Sequence, residues 1–127
     1  MRIFKNKVFT RFARKAALDD AALRASILAA ERGLIDADLG GGVIKQRIAR
    51  PGAGKSGGFR TIIVFRAGDR AVFVYGFGKN ERHNIRDDEL TEFKRLAALL
   101  LSYGDSQIGL AIEEGVLIEV SDDETVS

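Results

Sequence analysis

Between positions 45 and 60 the chain carries Lys45, Arg47, Arg50, Lys55 and Arg60 on a stretch that contains no acid and is broken by Gly52, Gly54, Gly57 and Gly58. Guanidinium forks and ammonium groups bind phosphate oxygens, so a ribbon of this composition reads as a phosphate-binding surface. A second polar group follows at Tyr75, Lys79, Asn80, Arg82 and His83. An aromatic ring among cations is what single-stranded nucleic acid uses for base stacking, which makes Tyr75 and Phe59 candidate stackers as well as candidate core residues.

Two tempting motifs weaken on inspection. Gly54-Lys55-Ser56 has the ending of a nucleotide-binding P-loop, but the place of its first glycine holds Ala49, Pro51 lies inside the loop, and Gly57-Gly58-Phe59 opens a strand instead of a helix. Lys55 therefore reads as a mobile cation on a flexible loop. His83 is the sole histidine and cysteine is absent, so neither a histidine pair nor a cysteine–histidine metal site can be assembled, and no metal or cofactor is expected. Between Arg82 and Asn84 it reads as an exposed loop residue. Histidine is also the side-chain type that titrates near neutrality, so an acid or base role stays open.

These residues need elements to hold them. Residues 43–48 alternate with a period of two, which sets Val43, Lys45 and Arg47 on one strand face and Ile44, Gln46 and Ile48 on the other, with Lys45 and Arg47 about 7 Å apart. Residues 59–66 and 71–77 are the clearest strands, joined by a hairpin turn at Ala67-Gly68-Asp69-Arg70. Alternation puts Phe59, Thr61, Ile63 and Phe65 on one face, Arg60 with Ile62 and Val64 on the other, and Tyr75 on the face of Phe73 and Phe77. Upstream, a short strand around Phe4 passes into a helix that buries Phe9, Phe12, Ala13 and Ala16. Asp19 or Asp20 then caps a second helix with Leu23, Ile27, Ala30 and Leu34 at helical spacing and Gly33 as its stop, giving a helical hairpin. Residues 35–42 read as a loop ending in three glycines. Downstream, Asp87-Asp88-Glu89 complement the dipole of a helix whose apolar stripe is Leu90, Phe93, Ala97 and Leu100. A weaker helix over 106–114, a last strand over 116–120 and an acidic, frayed tail over 121–127 complete the chain.

At 127 residues, with 46% hydrophobic and 30% charged residues, the chain fits one globular domain with a single core. The longest apolar run, 96–101, is far short of a membrane span, and charge interrupts the first residues too early for a signal peptide. A cytoplasmic protein is expected, with no membrane partner. The net charge of +2 conceals an asymmetry: all 20 Lys and Arg lie at or before Arg95, whereas residues 96–127 hold seven acids and no base. Residues 45–82 alone carry nine bases against Asp69 and Glu81. A local field of this kind attracts polyanions.

Lys45-x-Arg47 on a strand, Gly57-Gly58-Phe59-Arg60-Thr61-Ile62-Ile63, and Val74-Tyr75-Gly76-Phe77-Gly78-Lys79-Asn80-Glu81-Arg82 agree in order and spacing with one family. Over residues 2–103 the chain resembles the RelE/HigB toxins of type II toxin–antitoxin systems, in the RelE/ParE superfamily. The resemblance implies an α+β, RelE-like fold in which an N-terminal helical hairpin and a C-terminal helix pack on a small, mostly antiparallel sheet. The chain reads as one such domain over 1–120 followed by a disordered acidic tail over 121–127. As an activity, the resemblance implies an mRNA endoribonuclease that enters the ribosomal A site and inhibits translation. It also implies a cognate antitoxin, a HigA-like helix-turn-helix protein, as partner beside the ribosome and its mRNA. Lys45 and Arg47 match the paired strand cations of such toxins, Arg60 matches the arginine that opens the next strand, and Lys79, Asn80 and Arg82 fall on the basic turn. Two positions depart from the pattern, with Asn80 in place of an arginine and Arg86 near the place of a C-terminal tyrosine.

The implied cleavage needs no metal. The RNA 2′-hydroxyl attacks its own phosphorus, which requires a proton acceptor, charge stabilisation on the phosphorane and a proton donor for the departing 5′-oxygen. Arg47 and Arg60 suit the charge. Lys45 suits the acceptor if neighbouring cations and burial weaken its hold on the proton, and Tyr75 or His83 suits the donor. The candidate catalytic set is therefore Lys45, Arg47, Arg60, Tyr75, Lys79 and His83, with Arg50, Lys55, Phe59, Asn80 and Arg82 as RNA or phosphate contacts. Two other readings use the same fold: a ParE-like toxin that binds a protein target without cleaving, and a catalytically inactive RNA-binding relative, suggested by Asn80.

Overall fold

The protein is described by a computed structural model over residues 1–50 and 54–121, with the side chains of 54–56 outside that description. In chain order the elements are β1 (Arg2–Asn6), α1 (Lys7–Ala16), α2 (Asp20–Glu31), β2 (Ala37–Gly40), β3 (Val43–Arg50), β4 (Gly54–Arg66), β5 (Arg70–Gly78), α3 (Asp87–Ser102), α4 (Asp105–Glu113) and β6 (Leu117–Glu119). The strands form one mixed sheet in the order β2-β3-β4-β5-β1-β6. β1 runs parallel to β5, and the other four ladders are antiparallel. The architecture is α+β.

Local chemistry starts each helix. The Asn6 side chain accepts from Phe9 N at 2.8 Å to cap α1, and Asp19 accepts from Ala22 N at 2.9 Å to cap α2. α1 and α2 cover one face of the sheet, where Phe9, Leu23 and Ile27 pack on Ile44, Ile63 and Phe73. α3 and α4 cover the other, where Ala97, Leu100 and Ile108 pack on Val43, Ile62, Val64 and Val72. A sheet buried on both faces explains why β4 and β5 read as nearly continuous apolar runs. Among the described residues no helix is long and apolar enough to cross a membrane.

Three expectations need correction. Residues 35–42 are not all loop: β2 pairs with β3, and the reversal uses Gly40, Gly41 and Gly42 at φ of 84°, 62° and 83°, a left-handed path open to glycine. Four-residue β2 has little alternation of its own, so only tertiary pairing defines it. β4 begins at Gly54, so Lys55 belongs by its backbone to a strand and not to a flexible loop; its side chain is outside the described residues. Finally, Ile62 pairs with Tyr75 but Ile63 pairs with Phe73, so Val74 is an extra residue in β5. The bulge breaks the period of two. Phe73 faces α1 and α2, whereas Tyr75 and Phe77 turn to the α3 side. Of the acidic tail, Ser121 donates its N–H to Asp20 Oδ2 at 2.8 Å, and 122–127 lie outside the described residues.

Candidate active site

The antiparallel ladders build the site in two rows. Lys45 on β3 pairs with Ile62 on β4, which pairs with Tyr75 on β5; Arg47 pairs with Arg60, which pairs with Phe77. Directly paired residues share a face with Cβ atoms about 5 Å apart. Lys45, Arg47, Arg60 and Tyr75 therefore stand together on the α3 side, and the bulge at Val74 is what brings Tyr75 there. Arg60 is buried at 7% exposure, while Lys45 is half-buried and Arg47 exposed. Neither Lys45 nor Arg47 has an ion pair among the described residues, so their charge remains directed at an incoming anion.

A latch on the turn after β5 fixes the other side of the site. Arg82 donates from Nη2 to Glu89 Oε1 at 2.6 Å, from Nη1 to Glu89 Oε2 at 3.2 Å and to the Tyr75 hydroxyl at 3.0 Å, and from Nε to the carbonyl of Asn84 at 3.0 Å. Its guanidinium also lies 5.8 Å from the Tyr75 ring centroid and 5.5 Å from that of Phe77. Glu89, in the first turn of α3, accepts a further bond from Arg86 N at 2.7 Å. The Arg82 guanidinium, then the Arg86 N–H, hold its carboxyl down at about 2, and the same pairing raises Arg82 above the ordinary arginine value. Asn84 Oδ1 accepts from Lys45 Nζ at 3.3 Å and from Ile85 N at 2.9 Å, tying the latch to β3.

The latch has a chemical consequence. The Tyr75 oxygen accepts from the Arg82 guanidinium, so that bond does not use the hydroxyl's own hydrogen, which can donate to another group. Its ring is held by Phe77 and Phe93 at centroid distances of 6.0 and 5.7 Å, which fixes the hydroxyl's position.

The remaining sequence-derived residues are spread more widely. Lys79 and His83 are exposed on the turn; the Lys79 N–H reaches Gly58 O at 3.2 Å, and His83 makes no hydrogen bond among the described residues. Phe59 pairs with Ile48 and faces α1, so it stands on the opposite side of the sheet from Lys45. Arg50 lies 4.9 Å over its ring and Phe12 packs edge-on at 5.5 Å, which leaves Phe59 as a core ring. Asn80 lines a cavity on that same side with Arg50 and Phe59. Arg82 is on the Lys45 side but is committed to Glu89.

Two residues of the site are absent from the sequence-derived set. Asn84 carries no distinctive spacing. Glu89 appears there only as a dipole partner, although a base and an acid seven residues apart across a turn and a helix start are a usable pairing signal. Among the described residues no group of histidines, cysteines and carboxylates is arranged to hold a metal ion.

Comparison with known proteins gives one family: residues 1–120 match the model described as the RelE toxin of the RelE / RelB toxin-antitoxin system. No curated protein matches the chain.

Proposed function

The chain belongs to the RelE toxin family, as a toxin of a toxin–antitoxin system with a cognate antitoxin, and on that premise we propose that it is an endoribonuclease acting on ribosome-bound mRNA in the cytoplasm. The observation that carries this reading is the pair of rows, with Lys45, Arg47 and Arg60 beside the Tyr75 hydroxyl on one sheet face. An amine, two guanidinium groups and a tyrosine hydroxyl on adjacent strands supply the acceptor, the charge and the donor that attack by a 2′-hydroxyl requires.

In the proposed reaction the Lys45 amine accepts the proton of the attacking 2′-hydroxyl. Arg47 and Arg60 stabilise the charge on the phosphorane oxygens. Tyr75 gives its proton to the 5′-oxygen as the P–O bond breaks, leaving a 2′,3′-cyclic phosphate and a 5′-hydroxyl. Arg82, Glu89 and Asn84 hold Tyr75 and Lys45 in place, and Lys79 and His83 are outer contacts. The active unit spans 1–120. Asn80, where the family pattern has arginine, lies on the other side of the sheet from Lys45, and Arg82 is the guanidinium beside Tyr75; this favours an active enzyme over an inactive relative. A HigA-like antitoxin is the proposed partner.

The test is cleavage of a defined message on programmed ribosomes. The wild-type protein should cut, a message carrying a 2′-deoxynucleotide 5′ to the scissile phosphate should survive, and Lys45→Ala with Arg60→Ala should leave the message whole. Cleavage by the folded double variant at the wild-type rate would remove the proposed roles of both residues.

A further inference from the structure

The end of the sheet that carries Arg47 and Arg60 has a second polar site on its opposite face. A cavity of about 500 Å³ opens there between the C-terminal turn of α1 and the ends of β3, β4 and β5, lined by Lys15, Arg50, Asn80 and Glu81 over Phe12 and Phe59. That volume lies within the usual range for small-molecule sites. The Arg50 guanidinium lies over the Phe59 ring, 4.9 Å from its centroid, and Arg50 has no ion pair among the described residues.

The polar heads converge on Gly78. A Cβ at that position would meet Asn80 Oδ1 at 2.8 Å, Glu81 Oε1 at 2.9 Å and an Arg50 terminal nitrogen at 3.5 Å. Glu81 Oε1 already accepts from Gly78 N at 3.0 Å, which fixes the carboxylate, and its Oε2 accepts nothing among the described residues. The strand side of the cavity thus offers a guanidinium, an amide and an anchored carboxylate, and Lys15 lines it from α1.

We propose that this cavity binds a guanine base of single-stranded RNA. Guanine presents two adjacent donors, N1–H and the 2-amino group, that suit a carboxylate, and two acceptors, O6 and N7, that suit a guanidinium. Adenine lacks the N1–H donor and O6, and uracil lacks any amino group. A strand lying on the Lys45 side reaches this cavity by passing over the exposed turn at Lys79 and Asn80, which joins the two faces. The inference deepens the ribonuclease reading by giving it a base preference, but the binding itself does not depend on cleavage.

The experiment is an NMR titration of the full chain with guanosine 5′-monophosphate, adenosine 5′-monophosphate and inorganic phosphate, read at the amides of Gly78, Asn80 and Glu81 and at the Arg50 side-chain Nε–H. Guanosine monophosphate is expected to shift these signals and to bind at least tenfold more tightly than the other two. Glu81→Gln keeps an oxygen for the Gly78 N–H and should lose the guanine preference while the rest of the spectrum is unchanged. Lys45→Ala with Arg60→Ala should bind guanosine monophosphate as the wild type does, which separates failure of this site from failure of the cleavage face. Equal shifts with inorganic phosphate, shifts confined to the Lys45 and Arg47 side, or no shift at these signals would each overturn the proposal.

Discussion

In the proposed reaction Tyr75 is the proton donor, and its oxygen accepts from Arg82 at 3.0 Å. Removing only that hydroxyl is the narrowest perturbation. Tyr75→Phe should keep the ring contacts with Phe77 and Phe93 and slow single-turnover cleavage by about 10²-fold or more, the usual weight of a positioned proton donor. Unchanged cleavage would move the donor elsewhere. Glu89 gives a second handle. Its carboxyl is held at about 2 against an ordinary 4.5, so the folded state favours its charged form. The latch therefore contributes stability at pH values above the ordinary carboxylate range, and the contribution is lost as pH falls through the interval toward about 2. In thermal melts, the gap between wild type and Glu89→Gln should be constant near neutrality and close as the solution is acidified toward pH 2. A gap independent of pH over that range would show that the carboxylate's charge does not act in the latch. Part of this was open to inspection in the residue order: period-two geometry puts Lys45 and Arg47 on one strand face, and the family resemblance adds Arg60 on the next strand. The Arg82–Glu89 bond was not, because it joins a turn to a helix that no local pattern brings together.

Strand and helix placement decides which of these side chains meet. The extra residue at Val74 sends Phe73 to the α1 face and Tyr75 to the α3 face, so an unbroken alternation misplaces one aromatic of the two. A bulge has no residue signature in this stretch, whereas the strand itself is announced by Val, Phe and Tyr. β2 is invisible for a related reason, being defined by its neighbour and by the glycine turn. The close approach of α1 to β5 is testable at Gly76. A Cβ there would sit 2.4 Å from Phe12 Cε2, so Gly76→Ala must push a packed ring. It should lower stability by about 1–3 kcal/mol in urea denaturation, the typical cost of overpacking. A neutral substitution would mean that Phe12 is free to swing away, and the wall it gives the cavity under Arg50 would not be fixed.

Over the whole molecule, charge is sorted along the chain and across the sheet. The bases end at Arg95 and the last 32 positions carry only acids, yet Lys45 and Arg47 remain without ion pairs among the described residues. Affinity for single-stranded RNA should fall with salt, and each lost phosphate contact should reduce the log–log slope by about 0.7. Arg47→Ala is expected to flatten it by about that much; an unaltered slope would place Arg47 away from the backbone. The strands that carry the cations and the starts of α2 and α3 were legible in sequence because short-range periodicity and acidic residues at the helix starts encode them, and the fold class came from the family resemblance. Alternation separates Phe59 from Arg60, but which face of β3 matches which face of β4, and where the turn carries Asn80, depend on strand register and tertiary packing. The most direct measurement of the central claim is the mapping of 5′ ends of cellular mRNA after brief induction of the wild-type chain and of Lys45→Ala with Arg60→Ala. New 5′-hydroxyl ends at fixed codon positions within translated message, present with the wild type and absent with the variant, are the result predicted. Growth arrest with no such ends, or ends that persist undiminished in the variant, would contradict it.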